Sequence, residues 1–148
     1  MKKTNNKGFS LVELIVVIAI MAVLIGVLAP TFLKFVERGR KSTDVSNVTN
    51  VVTALQTYAA DPMVASGDEI GNGAKVTLST TSAATATLNS DKALTAAGID
   101  LAELKLKSGQ WGATSITFNV AVNADGTVKV TCDTDLADGH DILKGQYK

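Results

Sequence analysis

The longest hydrophobic run of the sequence lies near the amino terminus, where no residue from Leu14 to Leu33 is charged. Twenty helical residues extend about 30 Å, which matches the thickness of the hydrocarbon core of a bilayer. A segment exposed to lipid must satisfy its own backbone hydrogen bonds, and this favours a helix. The pattern therefore predicts a single membrane-spanning helix.

The periodicity changes beyond this run, where apolar residues recur at spacings of three and four: Val45, Val48, Val52, Leu55 and Ala59. This spacing is typical of a helix with one apolar face. The dipeptide Asp61-Pro62 is predicted to end the helix, because the residue before a proline avoids the α region. We therefore expect one helix to continue from the apolar run to about residue 60, with its second half covering a sheet.

Two segments near the carboxyl terminus, 116–122 and 128–132, alternate apolar and polar residues. Between them lies the turn sequence Asn123-Ala124-Asp125-Gly126, so the pattern predicts a β-hairpin. We expect its apolar face to pack on the second half of the helix. Cys132 lies on that face and is interpreted as a small buried residue.

The segment between helix and hairpin is less regular. Residues 63–90 are rich in Gly, Ser, Thr and Ala, which predicts a solvated loop with one short strand at residues 75–78. Ser90 is predicted to cap a short helix over residues 91–97, and Gly98 to stop it. Together the elements predict an α+β fold, in which a long amino-terminal helix packs on a small antiparallel sheet.

Glu13 is a carboxylate near the start of the apolar run. Insertion scales assign a charge within a membrane a cost of about 2.5–3.5 kcal/mol, so the residue is interpreted as a functional group with a partner. Gly26 and Pro30 form a second irregularity, four residues apart. Pro30 offers no N–H to the carbonyl of Gly26, and glycine is itself a weak helix former. We expect a helix break or kink there.

The sequence Gly8-Phe9-Ser10-Leu11-Val12-Glu13-Leu14, behind a short leader with three lysines, resembles the class III signal of type IV pilins and pseudopilins. The resemblance implies cleavage between Gly8 and Phe9 by a prepilin peptidase, followed by N-methylation of Phe9. It divides the chain into a leader (1–8), a transmembrane and assembly helix (9–33) and a pilin-like head (34–148). It also implies that the segment between Gly26 and Pro30 loses helical structure when subunits pack into a filament.

The function implied by this resemblance is structural and not enzymatic. The chain would form a helical homo-oligomeric surface filament, in which Glu13 of one subunit pairs with the amine of Phe9 in another. Its other partners would be the prepilin peptidase, which is also the N-methyltransferase, and the pilus assembly machinery of the inner membrane. The precursor would be a single-pass protein of the cytoplasmic membrane, and the assembled pilus would be extracellular.

Other interpretations of the sequence stay open at this point. A major pseudopilin of a type II secretion system carries the same signal. A membrane-tethered binding protein would need the apolar anchor but not Glu13. An ordinary secretory signal peptide predicts cleavage after the apolar run, which here is too long and lacks an Ala-x-Ala site.

Charge and cysteine content exclude or disfavour some properties of the predicted head. The net charge is zero, but from Ser42 onward there are seven Lys or Arg and twelve Asp or Glu, a net charge of −5. An acidic head neutralises few phosphates, which disfavours nucleic-acid binding. The single cysteine excludes a disulfide within the chain. Nothing in the sequence resembles a catalytic constellation.

The last acidic segment is a candidate metal site, with four carboxylates around Gly139: Asp133, Asp135, Asp138 and Asp141. Clustered oxygen ligands suit Ca²⁺. The EF-hand pattern fails, however, because Ala137 and Asp138 occupy positions that would need a ligand and a glycine. An acidic solvated loop without a cofactor is therefore the favoured prediction, with calcium as the alternative.

Overall fold

A computed structural model describes residues 8–123, 125 and 127–133. The secondary structure elements, in chain order, are α1 (Leu11–Ala59), β1 (Ala74–Ser79), β2 (Thr85–Ala86), α2 (Ser90–Ala96), β3 (Ser115–Val122) and β4 (Val128–Cys132). The chain divides into two compact units, Met1–Arg38 and Gly39–Lys148. The predicted α+β arrangement, a long apolar helix plus a small antiparallel sheet, is confirmed.

The 49-residue helix α1 contributes to both units and ends at Ala59, close to the predicted end at residue 60. From Leu11 to Phe35 apolar side chains lie on every side of the helix, and all of the large ones are exposed. In the second unit α1 buries one stripe, made of Val48, Val51, Val52, Ala54 and Leu55. This stripe follows the spacing of three and four that the sequence shows, so the predicted amphipathic half is confirmed.

The sheet of the second unit has four antiparallel strands in the order β2-β1-β3-β4. Its registers align inward-facing apolar residues across the three longer strands, as in the pairs Val76 with Phe118 and Val120 with Val130. Residues of this face join the buried stripe of α1 in one hydrophobic core. The prediction that the hairpin packs on the second half of the helix is therefore confirmed.

The β3–β4 turn is closed by local hydrogen bonds. The N–H of Asn123 donates to the carbonyl of Thr127 at 2.9 Å. The Asp125 carboxylate accepts hydrogen bonds from the N–H and the hydroxyl of Thr127, at 3.0 and 2.6 Å. These bonds hold the pKa of Asp125 below its usual value. The hairpin predicted from the turn sequence is thus confirmed, and Cys132 is half-buried against the core.

The segment predicted as a solvated loop carries more structure than its composition indicated. The short strand extends over Ala74–Ser79, and it also pairs with the two-residue strand β2. The sequence around β2 is rich in small hydroxyl residues and shows no alternation of strand type. Pairing with β1 imposes the strand there, because the backbone hydrogen bonds of an edge strand need no apolar side chain.

The cap predicted for α2 is wrong by one residue. Asn89 is the N-cap, in the left-handed region with φ of 64°, and Ser90 is buried inside the first turn with its hydroxyl donating to the carbonyl of Thr87. The Asn89 amide instead donates to the carbonyls of Gly67 and Glu69, at 2.9 and 3.0 Å. Gly98, with φ of 73°, ends the helix as predicted, because glycine adopts this conformation without strain.

Asp44 is the feature of the second unit that the sequence pattern conceals. It lies in a polar stretch of α1, yet it is fully buried. Its carboxylate accepts hydrogen bonds from the N–H groups of Lys107 and Ser108, at 2.6 and 2.9 Å, and from the indole N–H of Trp111 at 2.8 Å. One side chain therefore fixes the loop before β3 to the helix, and Trp111 of that loop is fully buried in the core.

Candidate processing and assembly site

The amino-terminal turn of α1 is closed by Ser10 and Glu13. The Glu13 carboxylate accepts a hydrogen bond from the N–H of Ser10 at 2.9 Å. The Ser10 hydroxyl accepts one from the N–H of Val12 at 3.3 Å, and its carbonyl accepts the first helical bond, from Leu14, at 3.2 Å. Two backbone donors that the helix would leave unpaired are thus satisfied by side chains, as in a capping box.

This cap is a role for Glu13 that the sequence interpretation missed. The signal was available, because Ser-x-x-Glu immediately before an apolar run is the sequence pattern of a capping box. The carboxylate also lies at the positive end of the helix dipole, which favours an anion. The arrangement holds the Glu13 carboxylate against Ser10, the residue that follows Phe9.

The predicted cleavage point is accessible. Gly8, Phe9 and Ser10 are exposed, and the Phe9 side chain is 95% exposed. A Cβ added to Gly8 would meet no atom within 4 Å, so packing among the described residues gives no reason for a glycine there. A requirement for glycine at this position would come from an enzyme that approaches the backbone, and the cleavage site stays a prediction.

The other two residues singled out in the apolar run do not interrupt the helix. α1 is assigned continuously through Gly26 and Pro30, although Pro30 leaves one backbone carbonyl without its usual N–H. The isolated chain therefore shows no helix break at this point. Loss of helical structure on packing into a filament is a statement about the assembled state and stays a prediction.

The first unit presents an apolar surface that needs a cover. Side chains from Leu11 to Phe35 that are large and apolar are 49–74% exposed, and α1 is long and apolar enough to cross a membrane. Apolar patches this large mark sites of contact with lipid or protein. A helix that is apolar all round is stable only where it is surrounded by lipid or by other helices. The surface indicates a membrane anchor.

Of the four candidate calcium ligands, Asp133 alone falls within the described residues. It lies on the surface, 3.8 Å from the ammonium of Lys75, and its N–H donates to Thr117 at the end of the hairpin. Asp135, Asp138 and Asp141 lie outside the described residues. Among residues 8–123, 125 and 127–133 there is no group of three metal-binding side chains, so the calcium question stays open.

Comparison with known proteins bears on this site directly. Residues 3–29 match the family model of the prokaryotic N-terminal methylation motif. The chain is also similar to the type IV major pilin protein PilA of Myxococcus xanthus (strain DK1622), with 34% identity over 57 residues. That match covers 38% of this chain and 26% of PilA, so the chain aligns with about a quarter of its relative's length. No solved structure matches the chain significantly.

The family match at residues 3–29 extends over the exposed amino-terminal turn and most of the apolar run of α1, and the antiparallel sheet follows in the order that the resemblance implies. Motif, fold and similarity to PilA together support a type IV pilin-like protein. The pilin family is structural, and its methylation motif implies processing by a prepilin peptidase.

Proposed function

We propose that the chain is a structural subunit of a type IV pilus, a helical surface filament held together by its amino-terminal helices. The observation that carries the proposal is the surface of α1 from Leu11 to Phe35, whose large apolar side chains are all exposed. In the membrane this surface is covered by lipid. In a filament it is covered by the same surface of neighbouring subunits. Both environments therefore keep the apolar side chains of this helix away from water.

Glu13 gives the assembly its register. It is the only charged side chain between Phe9 and Leu33, and an unpaired carboxylate in an apolar core is very costly. Cleavage after Gly8 creates an ammonium on Phe9, and a pair of opposite charges offsets much of that cost. Pairing of Glu13 with Phe9 of the adjacent subunit would fix how far each incoming helix advances along the filament.

The capping geometry supports this role, because the carboxylate is already held at the helix end. Glu13 keeps the Ser10 N–H satisfied through one oxygen, at 2.9 Å. A carboxylate has further lone pairs, so the same group is able to accept from an ammonium as well. Capping within a subunit and pairing between subunits are therefore compatible.

The test is electron microscopy of fibres sheared from cells that express the chain, together with mass spectrometry of the fibre subunit. Fibres that contain the chain, and that disappear when its gene is deleted, are the expected result. If the leader is cleaved but no surface fibres form, and if deletion of the gene impairs protein secretion, the chain is instead a pseudopilin. A chain that keeps its leader and stays in the membrane would identify a tethered binding protein.

A further inference from the structure

Two cations follow the apolar run directly. Lys34 is the first charged residue after Leu33, and Arg38 lies four residues further along α1. Both side chains are exposed. Residues four apart are neighbours on one face of a helix, so the two positive charges lie side by side at the carboxyl end of the predicted span.

Neither cation forms an ion pair with another described residue. The Arg38 guanidinium lies over the ring of Phe35, 5.9 Å from its centroid. In the second unit the Lys41 ammonium makes a similar contact and lies 5.4 Å from the centroid of the Trp111 ring. Glu37 lies between the two cations in sequence and offsets one of their charges. Like charges at a spacing of four destabilise a helix, so an external anion beside Lys34 and Arg38 would relieve the remaining repulsion.

We propose that Lys34 and Arg38 form a binding site for the phosphate groups of anionic phospholipids. Each Lys or Arg near the surface of a membrane with anionic lipids is attracted to their headgroups. The planar guanidinium of Arg38 suits two oxygens of one phosphate, while Lys34 acts as a point charge. The occupant is the membrane leaflet at the carboxyl end of the span.

The position along the helix favours lipid over a second copy of the chain. From Lys34 to Arg38 the helix rises about 6 Å. The headgroup layer on each side of a bilayer is roughly 5–8 Å thick. When residues 14–33 fill the hydrocarbon core, both cations therefore lie in the headgroup layer, where phosphates are their nearest anions.

This inference goes beyond the proposed function, because it concerns the subunit before assembly and needs no filament. It gives the membrane-resident chain a preference for a class of lipid. Pilus formation and lipid binding are measured separately, so either proposal is able to fail while the other stands.

The test is native mass spectrometry of the full chain, purified in detergent and exposed to equal amounts of phosphatidylglycerol and phosphatidylcholine. The expected result is preferential retention of phosphatidylglycerol. The double variant Lys34→Gln/Arg38→Gln should lower the ratio of bound phosphatidylglycerol to phosphatidylcholine by about fivefold per cation removed. The exchanged variant Lys34→Arg/Arg38→Lys should keep most of it.

The matched control is Lys105→Gln/Lys129→Gln, which removes the same charge from the second unit and should leave the ratio unchanged. Circular dichroism checks that every variant keeps its helix. An equal loss in the control would reduce the effect to net charge and overturn the proposal. Absence of any preference for phosphatidylglycerol, or competition by inorganic phosphate at equal concentration, would also overturn it. Unchanged lipid retention with unstable filaments would assign the two cations to a second copy instead.

Discussion

From Leu11 to Phe35 every large apolar side chain of α1 is exposed, whereas between Asp44 and Leu55 the same helix buries one stripe against a sheet. The first part is apolar on all sides and lacks a partner among the described residues of its own unit. The second part is polar outside and apolar inside, and its core comes from residues far away in sequence. The first part therefore depends on molecules outside the chain for its cover, and the second does not.

The two regions also treat a carboxylate differently. Glu13 lies at the exposed end of the helix and accepts one local N–H, from a residue three positions away. Asp44 is fully buried and accepts three N–H groups from a loop more than sixty residues away. The first arrangement leaves a carboxylate free to take a further partner, and the second commits it to folding. Substitutions in the first region should affect assembly, and those in the second should affect stability.

The largest effect is expected at the leader. The mature chain should begin at Phe9 with a methylated amine, and Gly8→Val should abolish cleavage and filaments, because a branched side chain hinders close approach to the backbone. Gly39→Val is the control, since a Cβ at Gly39 also meets open space. Mass spectrometry of the purified subunit measures both. A wild-type chain that begins at Met1 or beyond Ala22 would show the processing prediction to be wrong.

The next effect separates the charge of Glu13 from its cap. Glu13→Gln keeps an acceptor for the Ser10 N–H, because glutamine also serves in a capping box, but it removes the charge. We expect normal cleavage and a strong reduction in filament yield, with partial rescue by co-expressed wild type. Ser10→Ala is the converse control: it weakens the cap by about 0.5–2 kcal/mol and should leave filaments. Normal pili from a strain with only Glu13→Gln would refute the pairing.

In the second region Asp44→Asn should destabilise the fold without preventing leader cleavage. The amide offers one acceptor and brings an N–H₂ group toward buried donors, at a cost of about 3 kcal/mol. The melting temperature should fall by about 10–20 °C for a domain of this size. Fluorescence of the single tryptophan, which contacts this carboxylate, reports the transition. Glu103→Gln is an exposed change of the same kind and should leave the melting temperature unaltered. A similar fall in the Glu103→Gln variant would refute the role of the Asp44 hydrogen bonds in stability.

A smaller effect is expected from the hairpin turn at acid pH. The hydrogen bonds from Thr127 lower the pKa of Asp125 from its usual 3.8. A lowered pKa means that the contribution to stability is present above pH 3.8 and is lost as the pH falls below it. Asp125→Asn should therefore flatten the decline of melting temperature below about pH 4. If the melting temperature of the wild type and of Asp125→Asn falls equally with pH, other carboxylates cause the decline.

The smallest effect is expected from calcium. Ligand binding to the folded state raises the melting temperature by mass action, and the irregular spacing of Asp133, Asp135, Asp138 and Asp141 predicts little binding. Thermal denaturation of the full chain in detergent, with and without Ca²⁺, measures this. A clear rise that a chelator reverses would overturn the expectation and would favour a pseudopilin over a pilus subunit.

The sequence by itself determined the features that depend on local patterns. The uncharged run from Leu14 to Leu33 predicted a long apolar helix, and the period-two alternation on both sides of Asn123 predicted the hairpin. The motif around Gly8 and Phe9 indicated the family through a few consecutive residues. Each is a signal in which neighbours in sequence carry the whole physical argument, including the Ser10–Glu13 cap that the sequence interpretation overlooked.

Tertiary structure alone decided what depends on distant partners. Asp44 resembles any other polar residue of an exposed helix face, and only the loop at residues 107–111 makes it a buried anchor. The strand β2 exists because β1 offers it hydrogen bonds, not because its residues favour a strand. Ser90 lost its predicted cap role because its burial turns the hydroxyl toward Thr87. In each case long-range contacts outweighed local preference, since they satisfy backbone groups that the local sequence leaves unpaired.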